Sequence, residues 1–146
     1  MKGQTNAHAL LSRYRIEELI NSIISHYSVP DNAKQLTLNL KHSHFYSLRE
    51  GIQPVEIRVD RTTTKANWTV RLIATFDYPS PSAQSVDVAL YFNFQSQWFY
   101  QPDIKRCDLN QPKAIALLQS WLAMFTHHLS LHHFDQQQLT ITKNFN

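Results

Sequence analysis

Glycine is almost missing from this chain: of 146 residues only Gly3 and Gly51 are glycine. A phosphate-binding loop and a dinucleotide fingerprint both need clustered glycines to bring backbone N–H groups close to phosphate, so both are excluded. The nucleophile-elbow pattern is absent as well. So little glycine also predicts hairpins with loops longer than the tight Asn-Gly type. Cysteine is reduced to Cys107, which excludes an intrachain disulfide and a cysteine-based zinc site within one chain. Lys105 and Arg106 beside it favour thiolate, but no base is placed for it, and an incidental thiol is the expectation. No stretch approaches the roughly 20 apolar residues needed to span a bilayer. Met1–Asn6 lacks the apolar run of a signal peptide. The expectation is a cytoplasmic protein with no membrane partner.

Strong charge of one sign is also lacking. The formal net charge is +3 and the pI about 9.1. The closest basic pairs are Arg13 with Arg15 and Lys105 with Arg106. A nucleic-acid binder concentrates its positive charge on one face or helix; charge this small and dispersed favours solubility over a phosphate partner.

What is present is a globular mixture, 42% hydrophobic and 12% aromatic, at a length that suits one domain. Ile16, Leu19, Ile20, Ile23, Ile24 and Tyr27 follow helical spacing, with Glu17, Glu18, Asn21 and Ser22 between them. This predicts an amphipathic helix over about 8–28, ended by Pro30. The period then changes to two. Leu36, Leu38 and Leu40 alternate with polar residues, as do Val55, Ile57 and Val59. Trp68, Val70, Leu72, Ala74, Phe76 and Tyr78 continue the pattern with only Ile73 on the polar face, and Val86, Val88, Leu90, Phe92 and Phe94 repeat it. Trp98–Gln101 adds a short strand. Such alternation marks an antiparallel sheet covered on one face.

A second helix is expected over about 111–133, with Asn110 as N-cap, Pro112 in its first turn and an apolar stripe of Ile115, Leu118, Leu122, Phe125 and Leu129, widened by Trp121. A short strand around 137–143 closes the order. The fold class is therefore α+β: one domain over 1–146, a twisted antiparallel sheet with strands over about 34–101, and N- and C-terminal helices on one face.

Histidine is the most suggestive chemical signal. His127, His128, His132 and His133 lie late in the second helix, and His128 with His132 has the i, i+4 spacing of a helical metal pair. The zinc-protease version needs a glutamate after the first histidine, and here that residue is Leu129. Asp135 alone stands near as a third ligand. Histidines near a helix C-terminus are favoured by the macrodipole without any metal, so no metal and no cofactor is expected. In the long loop His42–Gln53, the residues His42, His44, Tyr46, Arg49 and Glu50 make a polar cluster able to line a pocket. Glu56, Asp60, Asp77 and Asp87 are expected on the open sheet face, with Glu56 or Asp77 pairing Arg58 or Arg71 across strands. Carboxylates for acid–base work need burial to shift their pKa values, which an open face does not supply.

A family resemblance rests on several runs. These are Leu38–Leu40, Phe45-Tyr46-Ser47 and Gly51-Ile52-Gln53-Pro54-Val55-Glu56-Ile57-Arg58, then Phe76-Asp77-Tyr78, Leu90–Phe94 and the helix around Trp121. Together they resemble a bacterial family catalogued as domain of unknown function 2787, found in proteobacteria such as vibrios, often on mobile or pathogenicity islands. The resemblance covers roughly 36–145 and attaches no catalytic motif. It implies a fold similar to the mitochondrial acidic matrix glycoprotein group, an antiparallel sheet with terminal helices against one face. Those proteins are strongly acidic ring-shaped trimers, whereas this chain is mildly basic.

The expectation that follows is a non-catalytic protein-interaction or accessory module. Its candidate surface comprises His44, Tyr46, Arg49, Glu50, Glu56, Arg58, Arg71 and Asp77, with Tyr91 or Phe99 as aromatic anchors. An unidentified protein is the expected partner, and a homo-oligomer is a further option. The alternatives are nucleic-acid binding through Arg58, Arg71 and neighbouring aromatics, and a small-ligand or degenerate enzyme pocket holding His44, Tyr46 or Glu50.

Overall fold

A computed structural model describes residues 5–146; Met1–Gln4, most of the stretch read above as lacking an apolar run, lie outside it. The first helical segment divides in two, α1 (Ala7–Arg13) and α2 (Ile16–Ile24). Where one helix over 8–28 is expected, the chain turns at Tyr14-Arg15, and Arg15 adopts a left-handed conformation (φ 54°). The reason is the position of the apolar side chains. At about 100° per residue, a straight helix would point the mean direction of Ala7, Leu10 and Leu11 more than a quarter turn away from that of Ile16, Ile20 and Ile24. The break lets both sets be buried. Asn6 caps α1 by accepting from the Ala9 N–H (2.8 Å). The next free donor, Ala7 N–H, is taken by Asn110 Oδ1 (3.0 Å). Asn110 therefore caps α1, while Gln111 holds the N-cap position of the long helix α4 (Pro112–Ser130) without a side-chain bond.

Between these helices run β1 (Ala33–Lys41), a short helix α3 (Ser43–Leu48), β2 (Val55–Asp60), β3 (Thr69–Asp77), β4 (Asp87–Asn93), β5 (Trp98–Gln101) and β6 (Lys105–Asp108). β7 (Gln136–Asn144) closes the chain. The strands form one antiparallel seven-stranded sheet in the order β6-β5-β4-β3-β2-β1-β7. β6 has no apolar alternation to announce it, and α3 falls inside the segment expected to be a loop. The β5–β6 turn is a three-residue loop after which Lys105 takes a positive φ (64°). The other hairpin loops are longer, as so little glycine requires.

α1, α2 and α4 pack on one face, where Leu36, Leu38, Leu40, Val55, Ile57, Val59, Phe92 and Phe99 join the helix side chains in a continuous core. Burying each such side chain contributes about 1.5–3 kcal/mol. Two polar residues on α2, at positions the sequence pattern assigns to solvent, complete the docking. Glu17 Oε2 accepts the Val70 N–H (2.7 Å). Asn21 accepts from Trp68 N–H and donates to Trp68 C=O, both at 2.9 Å, as a neighbouring strand would.

The alternation in β3 is corrected by a bulge. Arg58 pairs with Leu72 but Val59 pairs with Val70, so Arg71 is an extra residue. A one-residue insertion exchanges the faces of everything beyond it. Ile73 therefore lies opposite Ile57 in the core, while Leu72 and Ala74 turn to the second face beside Arg58 and Glu56. Ile73 is a core residue, not a flaw in the polar face.

Candidate functional site

Two surfaces stand out, one on each side of the sheet. On the second face, the register places Arg58, Leu72, Asn93 and Trp98 side by side across β2 to β5. Glu56, Ala74, Tyr91, Tyr100 and Arg106 form the adjoining row, which reaches β6. Tyr91 and Trp98 stack with ring centroids 4.7 Å apart, and the Arg106 guanidinium lies over Trp98 at 4.3 Å. Leu72 and Ala74 are buried, yet they lie outside the continuous core. Arg58 Nε is buried without a hydrogen-bond partner among the described residues.

The sequence-predicted site residues divide around this face. Glu56 and Arg58 lie on it. Arg71 pairs with Asp60 (2.8 Å, half-buried), not with Glu56 or Asp77. Asp77, beyond the bulge, follows Thr75 back to the helix side, where Gln53 Nε2 donates to it (3.1 Å). Phe99 is buried against Phe92 and offers no exposed anchor, while Tyr91 is half-buried on the second face. Trp98, Tyr100 and Arg106 were missed. The signal was the two-residue period through Trp98-Phe99-Tyr100, which puts Trp98 and Tyr100 opposite Phe99.

His44 and Tyr46 are exposed on α3, and Glu50 is exposed in the loop after it. Arg49 ends α3 in a left-handed conformation and lies over the Tyr78 ring (4.0 Å), with Nη1 donating to the Pro81 and Ala83 carbonyls. Its role is to tie α3 to the β3–β4 loop. Burial and nearby Tyr78 raise the Tyr46 phenol above its ordinary value. The candidate residues thus split between α3 with its following loop, the second face and the helix side.

The cavity that the His42–Gln53 segment does form is lined by its last residues, Gly51, Ile52 and Gln53, rather than by His44, Tyr46 or Glu50. It holds about 300 Å³ between Gly51–Val55 and α4, with Leu117, Trp121, Met124, Phe125 and Phe134 as apolar walls and Ser120 and His128 as polar edges. Trp121 and Phe125 stack at 4.8 Å. Gly51 has φ +95°, a backbone conformation that other residues rarely adopt, so glycine sets the turn that forms this wall.

The histidines rearrange at the end of α4. The helix stops at Ser130, and His132 is exposed with φ 58°, so the His128–His132 pair expected on one helix face does not form. Instead His133 folds back, its Nδ1 lying 2.9 Å from His128 Nδ1, and one of the two nitrogens carries the shared proton. His42 Nδ1 donates to the His133 carbonyl (2.7 Å). Burial, then His133, His127 and His42, hold His128 below the ordinary imidazole value. Asp135 accepts from Ser43 N–H (2.9 Å) and Ser43 Oγ (2.5 Å). Among the described residues, no group of three or more His, Cys, Asp or Glu side chains is arranged to hold a metal ion. Nor is any described helix long and apolar enough to cross a membrane.

A family model described as protein of unknown function (DUF2787) matches residues 14–140. The chain belongs to this family. Two solved Vibrio cholerae structures share the fold. One is the hypothetical protein VC0508 from the VSP-II pathogenicity island: 17% identity, 86% of this chain and 91% of that one covered, TM-score 0.72. The other is the conserved hypothetical protein VC1805 from pathogenicity island VPI-2, described as sharing structural homology with the human P32 protein: 23% identity, 91% and 90% covered, TM-score 0.63. At these identities the likeness concerns the fold. No curated protein matches the chain.

Proposed function

We infer that this DUF2787 member is a non-catalytic docking module that binds a protein partner through the second face of its sheet. The observation that carries the reading is the Tyr91–Trp98–Arg106 stack with Tyr100 and Arg58 around it. Tyr, Trp and Arg are the residues that dominate interface energetics, and a rigid strand surface presents them at low entropic cost. Charge balance favours protein over nucleic acid. Arg71 is paired with Asp60, and Arg58 and Arg106 share the face with Glu56 and Asp108. A phosphate backbone would meet carboxylates there.

The test is affinity capture of the tagged chain from its native lysate, with nuclease and at two salt concentrations, repeated with Trp98→Ser and Arg106→Ser. A discrete protein retained by the wild-type chain and by Leu131→Ser, an exposed apolar position elsewhere, but lost from both face variants, supports the reading. Nucleic acid that leaves at higher salt, as counterion release demands, overturns it. So does a partner indifferent to both face substitutions.

A further inference from the structure

The cavity on the helix side is separate from the docking face and stands independently of it. We propose that the space between α4 and the Gly51–Val55 segment is a binding site for a small, uncharged aromatic molecule. The first argument is shape: about 300 Å³ falls at the lower end of the range of small-molecule sites, about 300–1,000 Å³. It is too small for a helix or a folded partner. The second is the wall. Trp121 and Phe125 are already stacked and nearly parallel (13°), so a flat ring entering beside Met124 extends an existing stack without reorganising the core.

The third argument is charge. No lining residue is an Asp, Glu, Lys or Arg. The polar side chains at the rim are the Ser120 hydroxyl, the His128 imidazole and the Gln53 amide, whose Nε2 already donates to Asp77. An ionised ligand would lose its hydration and gain no counter-charge, which is costly. A neutral ring with one hydrogen-bonding group loses little. His128 is suited to such a group. Its Nδ1 is occupied by His133, leaving Nε2 as the nitrogen not engaged in that bond. Burial and the surrounding histidines lower its pKa from the ordinary imidazole value, which disfavours the cationic form that a carboxylate would need. Met124, 56% exposed beside half-buried Leu117 and Trp121, supplies a flexible lip that adapts to the ligand.

The probes are N-phenyl-1-naphthylamine, which is neutral, and 1-anilinonaphthalene-8-sulfonate, the same ring skeleton with an added anion. Fluorescence titration of the full chain near neutral pH should show saturable one-to-one binding of the neutral probe. It should bind at least about tenfold more tightly than the sulfonate, a difference of roughly 1.4 kcal/mol. Ser120→Trp fills the space and Met124→Glu places a charge at its lip. Both positions are exposed on α4, and circular dichroism verifies the fold. Each should weaken the neutral probe by at least about tenfold, while Leu19→Ser, exposed elsewhere, leaves it unchanged. If Ser120→Trp does not fold, Met124→Glu alone decides. The proposal is overturned by the absence of saturable binding, by equal affinity for the sulfonate, or by undiminished binding in the folded cavity variants.

Discussion

The guanidinium of Arg61 donates to four backbone carbonyls at once: Ala33 (2.9 Å), Thr64 (2.7 Å), Pro30 and Asp31 (3.3 Å each). It also lies over the Trp68 ring at 4.2 Å. One planar, permanently charged group thus ties the entry of β1 to the β2–β3 loop. Lysine keeps the charge but has neither the fork nor the flat face that stacks. Arg61→Lys is therefore expected to cost about 1.5–3 kcal/mol, the scale of hydrogen bonds to a charged group. Urea unfolding measures it. A midpoint unchanged from the wild-type chain would show that the clasp is redundant. The sequence conceals this residue because its partners are main-chain atoms far along the chain, and side-chain patterning does not record where carbonyls end up.

At the scale of elements, what was legible was periodicity and what was hidden was interruption. The alternation of Leu36, Leu38 and Leu40 against Val55, Ile57 and Val59 is the register that forms. The stripe through Ile115, Leu118, Leu122 and Phe125 is the buried side of α4. The bulge at Arg71 and the break at Arg15 carry no glycine or proline to mark them, so the faces of Leu72, Ala74 and Asp77 could not be read. β6 was hidden for a different reason: it is an edge strand with little to bury, whereas the other edge strand, β7, was read at about 137–143 and forms over Gln136–Asn144. Within the candidate surface, Arg71 and Asp77 were the residues placed by assuming uninterrupted alternation, and they are the ones the bulge displaces. The scarcity of glycine has its own consequence. Arg15, Arg49, Gln97, Lys105 and His132 all hold left-handed conformations, each costing roughly 1–2 kcal/mol relative to the right-handed form. Lys105 at the β5–β6 turn is exposed and suits a test. Lys105→Gly should raise stability by about 0.5–1 kcal/mol after glycine's entropic cost, or roughly 1–4 °C in melting temperature for a chain of this size. Lys105→Val should lower it. Equal melting of all three chains would mean that the turn contributes nothing to the transition.

For the molecule as a whole, the end of α4, the start of β7 and α3 form one polar junction whose groups titrate in separate windows. Burial and neighbouring His133, His127 and His42 hold His128 below the ordinary imidazole value of about 6.5. The unfolded chain therefore binds a proton that the folded chain refuses, and stability rises with pH through that window. The contribution is complete above about 6.5 and is lost as pH falls toward the lowered folded value. Asp135, whose carboxylate is lowered by the Ser43 hydroxyl and N–H, contributes above its ordinary value of about 3.8 and loses that contribution in stronger acid. The urea midpoint should thus fall in two stages on acidification, the first from His128 and the second from the carboxylates. His128→Gln should flatten the first stage and leave the second, while Ser43→Ala should weaken only the second. The same proton would place a positive charge at the rim of the uncharged cavity, so neutral-probe binding should decline over the first stage and not wait for the second. Parallel acid profiles for the wild-type chain and His128→Gln would assign the first stage to another group and remove the link between the junction and the cavity.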